Sequence, residues 1–267
     1  MKKRIINYLL ALVVFGAGCT RTIDPKLDNA SGQPDIEANI TDPDSPQVIY
    51  LRRNVAFSES NSYPPISGAT VAVTDDFGKR YAFTETQPGT YRSPPFAGVA
   101  GTSYTLQTTI GTQVYVATST MPGVVRMDSL TDKNRPLNRH QDGRDQKVIS
   151  VYYQDPPGIA NQYRFIEWVN GVQVKSVFTY DDQLTDGRYV TIDLLEQDID
   201  IYAGDVVKVE MDCIDKPIYT YWFSLQSQQA NNFNGAVAPA NPPTNISPAA
   251  LGYFSAHTSQ TITYTVK

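Results

Sequence analysis

Tyr163-Arg-Phe-Ile-Glu-Trp-Val169 and Val172-Gln-Val-Lys-Ser-Val-Phe178 stand on either side of Asn170-Gly171. Both runs are rich in β-branched and aromatic residues, and Asn-Gly tolerates the positive φ angles of a two-residue hairpin turn. The pattern predicts two antiparallel strands. Working outward, Asp186-Gly187 supplies a second turn ahead of Arg188–Leu195. Val207-Lys-Val-Glu-Met-Asp-Cys213 alternates apolar with charged residues, which sets Cys213 on the same side as Val207, Val209 and Met211. Upstream, Ala69–Thr74 and Lys79–Thr84 alternate about the turn Asp75-Asp-Phe-Gly78, and Tyr104–Ile110 pairs with Gln113–Ser119 about Gly111. No helical period is sustained between residues 47 and 122.

One segment breaks the β pattern. Ile218, Trp222 and Leu225 recur at i, i+4 and i+7, with Asp215 ahead and Pro217 in the first turn, which predicts a helix of about three turns. The stripe must be covered, and Leu251-Gly-Tyr-Phe-Ser-Ala256 is expected to bury with it against one core, Gly252 marking a close backbone approach. The chain therefore reads as mainly β, with two tandem β-sandwich-like units. Residues 46–124 form an immunoglobulin- or transthyretin-like unit of about seven strands. Residues 148–267 form a second sandwich with one short helix. Between them, residues 125–147 mix Arg126, Lys133, Arg135 and Arg139 with Asp128, Asp132 and Asp142, which reads as a solvated connection.

The 267 residues hold 22 Lys+Arg against 27 Asp+Glu, a net charge of −5. The first eighteen residues carry Lys2, Lys3 and Arg4 and no acid, so their removal leaves 249 residues at −8. Nucleic-acid binding needs a clustered basic excess that is missing here. Two His and two Cys exclude a Cys-rich scaffold or a zinc cluster. Residues 1–18 read as a signal peptide: a basic start, an apolar run Ile5–Phe15 too short to span a bilayer, then Gly16-Ala17-Gly18. Cys19 follows at once, as in a bacterial lipoprotein signal, and is the expected lipidation site. Residues 19–45, with Pro25, Pro34, Pro43 and Asn29–Gly32, read as a tether.

Several blocks occur in one order: Ser67-Gly-Ala-Thr-Val71, Pro88-Gly-Thr-Tyr91, Gly101–Leu106, Asp155-Pro-Pro-Gly158, Asn161–Phe165, Tyr180–Arg188, Ile218–Trp222, Pro242–Ile246 and Leu251–Ala256. The series resembles the Bacteroidota lipoprotein family catalogued as domain of unknown function 4249, across nearly all of the chain after Cys19. The resemblance implies an accessory lipoprotein of a TonB-dependent outer-membrane transport system, anchored in the surface or the periplasmic leaflet. It implies no chemistry. Asp128-Ser129-Leu130 also resembles the O-glycosylation sequence of exported Bacteroidota proteins, making Ser129 a candidate glycosylation site.

Candidates for chemistry are few. His140 and His257 lie in separate units, and no Gly-x-Ser-x-Gly elbow accompanies either. Cys213 is expected in the core. Asp75-Asp-Phe-Gly78 is a turn, since no other kinase motif is present. Asp181, Asp182 and Asp186 are the calcium candidates, three carboxylates beside a turn, although the spacing is not that of an EF-hand. The 17 tyrosines suit strand packing as well as ligand stacking. The function expected is a non-enzymatic accessory or ligand-capture module at the outer membrane, without cofactor. The alternatives are a fimbrial subunit or adhesin and, third, a secreted hydrolase.

Overall fold

The computed structural model describes residues 32–55, 63–139, 145–231 and 240–267. The protein is mainly β, with two sheets in a sandwich-like arrangement and one short helix. Its first seven strands are β1 (Pro34–Thr41), β2 (Ser45–Arg53), β3 (Thr70–Asp75), β4 (Arg80–Gln87), β5 (Thr90–Phe96), β6 (Ser103–Ile110) and β7 (Gln113–Thr120). β4 joins two layers, pairing with β3 through Arg80–Thr74 to Phe83–Val71 and with β5 from Thr84 onward. Between the layers lies a core that includes Ile36, Ile40, Leu51, Val73, Tyr91, Tyr104 and Leu106.

The second half begins with β8 (Met127–Arg139), β9 (Asp145–Gln154), β10 (Gln162–Val169), β11 (Val172–Gln173), β12 (Phe178–Asp181), β13 (Tyr189–Leu194) and β14 (Val206–Ile214). The helix α1 (Lys216–Asn231), β15 (Ile246–Ser247) and β16 (Leu251–Thr265) complete it. A three-stranded sheet, β13-β9-β8, faces β10, β14 and the far half of β16 across a second core that holds Tyr153, Phe165, Val209, Met211 and Cys213.

The two halves share a strand. From Leu251 to His257, β16 runs parallel to β1; from Thr258 to Thr265 it runs antiparallel to β14. Thirteen strands are thereby hydrogen-bonded into one sheet that passes from the first core to the second. Residues 31–267 form one compact unit. Phe254 and Ala256 enter the first core, whereas Tyr253, on the opposite face, packs against Tyr221 and Trp222 of α1. Helix and terminal block therefore meet through Tyr253 in a small cluster of their own, while Phe254 and Ala256 serve the first core, because neighbouring residues of a strand point to opposite faces. The close approach at Gly252 is present. Its φ is +87°, and a Cβ there would lie 2.2 Å from the carbonyl oxygen of Ile36.

Two segments read as irregular are strands. Within the expected tether, Ile36, Ala38 and Ile40 alternate into the first core, a period-two pattern half hidden by the Asp, Glu and Asn between them. Within the expected connection, Met127 and Leu130 are buried on β8. The charges there point outward and pair across strands, Lys133 to Asp193 at 2.6 Å and Lys147 to Asp132 at 3.1 Å. Mixed charge marked one face of a sheet. The helix, at 16 residues, is longer than the apolar stripe implied. Asp215 caps it, accepting the N–H of Ile218 at 3.2 Å, and also accepts from Ser119 Oγ of β7 at 2.7 Å.

Candidate functional site

The predicted hairpin of Tyr163–Phe178 forms, with Asn170 at φ +50° and Gly171 at +83°. Its second strand, however, does not run through. β11 ends at Gln173 and β12 begins at Phe178, so residues 174–177 detour from the edge of β10. Val174 turns into the core, its N–H bonded to the carbonyl of Glu167 at 2.8 Å. The rest of the detour is held from outside: the N–H of Val177 donates to Gln229 Oε1 at 2.9 Å, and Gln229 Nε2 donates to the carbonyl of Lys175 at 3.0 Å. Asp198 accepts the N–H of Lys175 at 2.9 Å.

A cleft opens on each side of this detour. One, of about 440 Å³, is lined by Phe178, Tyr180, Asp193, Asp198, Gln226 and Gln229 among others. The other, of about 400 Å³, lies between Arg164 and Ile166 of β10, Gln173–Val177 and Trp222 of α1. Both sizes lie in the range of small-molecule sites.

Arg164 connects the second cleft to the shared strand. Its guanidinium carbon lies 3.6 Å from the centre of the Trp222 ring, and Nη1 lies 3.8 Å from Asp212 Oδ2. Asp212 is buried on β14, and neither of its oxygens is in hydrogen-bond geometry. His257 Nε2 lies 3.9 Å from Asp212 Oδ1, and its Nδ1 is 2.9 Å from Ser255 Oγ. Burial pushes the Asp212 carboxyl up to about 6, against the opposing charge of Arg164. Burial, then that same charge, pushes the His257 imidazole down to about 4. Ser255, His257 and Asp212 are the residue types of a hydrolase triad, yet all three are buried at the seam between the cores.

Of the calcium candidates, Asp182 and Asp186 come together and Asp181 does not. The third member is Asp155, and ligand-type oxygens of the three lie within 4.8 Å of one another. Asp181 instead faces Lys216 at 3.7 Å. The clustered carboxylates stitch two turns: Asp155 accepts from the Tyr163 hydroxyl and, at 3.2 Å, from Gly187 N. Asp182 accepts from Asn161 N and Asp186 from Gly158 N, both at 2.7 Å. This donor set accounts for the cluster as a staple between loops. Ser129 is exposed on β8. Cys213 is in the core as expected, its thiol pushed up by burial. Cys19 and His140 lie outside the described residues.

With the geometry described, comparison with known proteins adds a family. The profile described as Domain of unknown function (DUF4249) matches residues 20–263. The chain belongs to that family. No curated protein matches the sequence of this DUF4249 chain. Among solved structures, the Yersinia pseudotuberculosis adhesin InvE is similar at 17% identity and a TM-score of 0.21, over 68% of this chain and 57% of the adhesin. A score that low carries no argument about fold or function.

Three residues of the DUF4249 chain that matter most here were missed in its sequence. Arg164 and Glu167 lie in the strand that opens the reading, and Asp155 in the Asp-Pro-Pro-Gly turn. Glu167 had a signal: in the series Tyr163, Phe165, Glu167, Val169 it is an acid in an inward register. It is buried, with neither oxygen hydrogen-bonded, and its carboxyl is pushed up to about 8 by burial, then by Glu196 and Asp198.

Proposed function

We propose that this DUF4249 chain is a lipid-anchored, non-catalytic ligand-capture module of the outer membrane, accessory to a TonB-dependent transporter. The observation that carries the capture reading is the pair of clefts beside residues 174–177, one backed by β12, β13 and α1 and the other by β10 and α1, with residues 174–177 anchored to α1 through Gln229. Sites built on strands and helices hold their geometry without reorganising on binding. The chemistry nearby favours binding over turnover. Ser255, His257 and Cys213 are buried, the imidazole is held neutral near pH 7, and the thiol is pushed away from thiolate. The anchor is read from Cys19 and the segment before it.

The test is purification of the native protein from detergent-solubilised outer membrane, followed by identification of what accompanies it. A transporter, together with a small molecule lost on filling either cleft, supports the reading. Recovery of the protein alone from the soluble fraction, with an unmodified Cys19, refutes the anchor and the partner together. Cys19→Ser should move the chain out of the membrane fraction.

A further inference from the structure

We propose that the cleft between Arg164 and Trp222 binds a small organic carboxylate, with its carboxyl group on the guanidinium of Arg164. The inference rests on the capture reading and names its ligand class. In a chain of net charge −5, the lining of this cleft holds two cations, Arg164 and Lys175, and no acid. The cleft across the detour shares Lys175 but adds Asp193 and Asp198 and lacks Arg164, so the contrast is local and rests on Arg164 and the missing acids.

Arg164 is placed to use its donors on something else. Stacking on Trp222 occupies one face of the guanidinium and leaves its N–H groups, which lie in the plane, pointing past the indole. Its ion-pair partner among the described residues, Asp212, is at 3.8 Å, beyond hydrogen-bond distance. The side chain is 16% exposed, so its charge is largely withdrawn from water, where an incoming carboxylate gains most from a two-pronged contact. The carboxyl groups of Asp212, Glu210 and Glu37, all within electrostatic reach of it, offset part of the charge, which suits a monoanion better than a dianionic phosphate. Ile166, Val177 and Trp222 offer apolar surface to the body of the ligand, and Gln173 and Ser176 offer polar contacts at the mouth. A volume of about 400 Å³ admits a single ring with a short acid arm.

The probe is phenylacetate, compared with phenylacetamide and phenyl phosphate, on the full chain in detergent. Binding is read by ligand-observed saturation-transfer NMR and by fluorescence of Trp222 in a Trp168→Phe background. Phenylacetate should bind saturably, and the amide about tenfold or more weakly, because one charged contact is lost. Arg164→Lys keeps the charge, loses the fork, and should weaken binding by a similar factor. Gln173→Phe narrows this cleft alone, since Gln173 does not line the other one, leaves the Arg164–Asp212 pair in place, and should abolish binding at an unchanged melting temperature. Equal affinity for acid and amide overturns the proposal, as does tighter binding of phenyl phosphate. Binding that survives both Arg164→Lys and Gln173→Phe overturns it too. If no carboxylate binds while the native protein still co-purifies with a small molecule sensitive to the other cleft, this inference falls and the capture reading stands.

Discussion

Glu167→Gln should stabilise this protein, by an amount that grows with pH. The carboxyl sits on the core face of β10, 1% exposed, with both oxygens outside any hydrogen bond. Its pKa rises from 4.5 to about 8 on folding. The folded state therefore holds the proton more tightly than the unfolded chain, and stability present below pH 4.5 is lost as pH rises through about 8. Each unit is worth about 1.4 kcal/mol, so the loss approaches roughly 3 kcal/mol at pH 7 and roughly 5 kcal/mol above the folded pKa. Gln keeps the shape and does not titrate. Urea denaturation at a series of pH values from about 4.5 to 8.5 should show the two proteins matching at the acid end and diverging at up to about 1.4 kcal/mol per pH unit. A difference that stays constant over the series would refute the reasoning, because a packing effect does not follow the proton.

Further outcomes test the shared strand and the seam. Phe254→Ala, which empties part of the first core, should cost about 3–5 kcal/mol and lower the protection of amides in β14 as well as in β1; loss confined to one half would mean that the halves open independently. Gly252→Ala forces a methyl against the carbonyl of Ile36 at positive φ and should cost several kcal/mol, measured by chemical denaturation. The His257 imidazole, pushed down to about 4, should show no protonation shift by NMR between about pH 7 and 5.5; a midpoint near 6.5 would place it in water. Asp155→Ala removes the acceptor for the Tyr163 hydroxyl and Gly187 N and should lower the melting temperature by several degrees, with added calcium having no effect on the parent protein.

What could be read beforehand was local. The turns at Asp75–Gly78, Asn170-Gly171 and Asp186-Gly187 announce themselves through residues that accept special backbone angles, and the alternation ending at Cys213 gives its face directly. What escaped depended on distant partners. Ile36-x-Ala38-x-Ile40 is too short to stand out among prolines and acids, and it becomes a strand because β2 and β16 flank it. Residues 127–139 look solvated because their charges find partners on β9, β13 and nearby loops. The detour at residues 174–177 was unreadable for a similar reason: Val-Lys-Ser-Val is a good strand sequence, and side-chain amides of α1, about fifty positions later, take over its backbone. The cleft that results belongs to no motif.

The position of β16 also sets an order of events. A chain made from its N-terminus presents β1 first among the described strands and β16 last, yet each core is closed by β16. Ser259 N meets Asp42 Oδ1 across 217 positions of sequence. Until that final stretch is available, β1 and β14 each have an unfilled edge, with apolar residues on one side that have no cover. Pairing across such a separation is slow, because the loop must close before the contacts return anything. Before β16 is made, the nascent chain holds two incomplete half-sheets that can pair wrongly with each other or with other chains. The two halves should complete their folding in a single step, when β16 drops into the middle of the sheet.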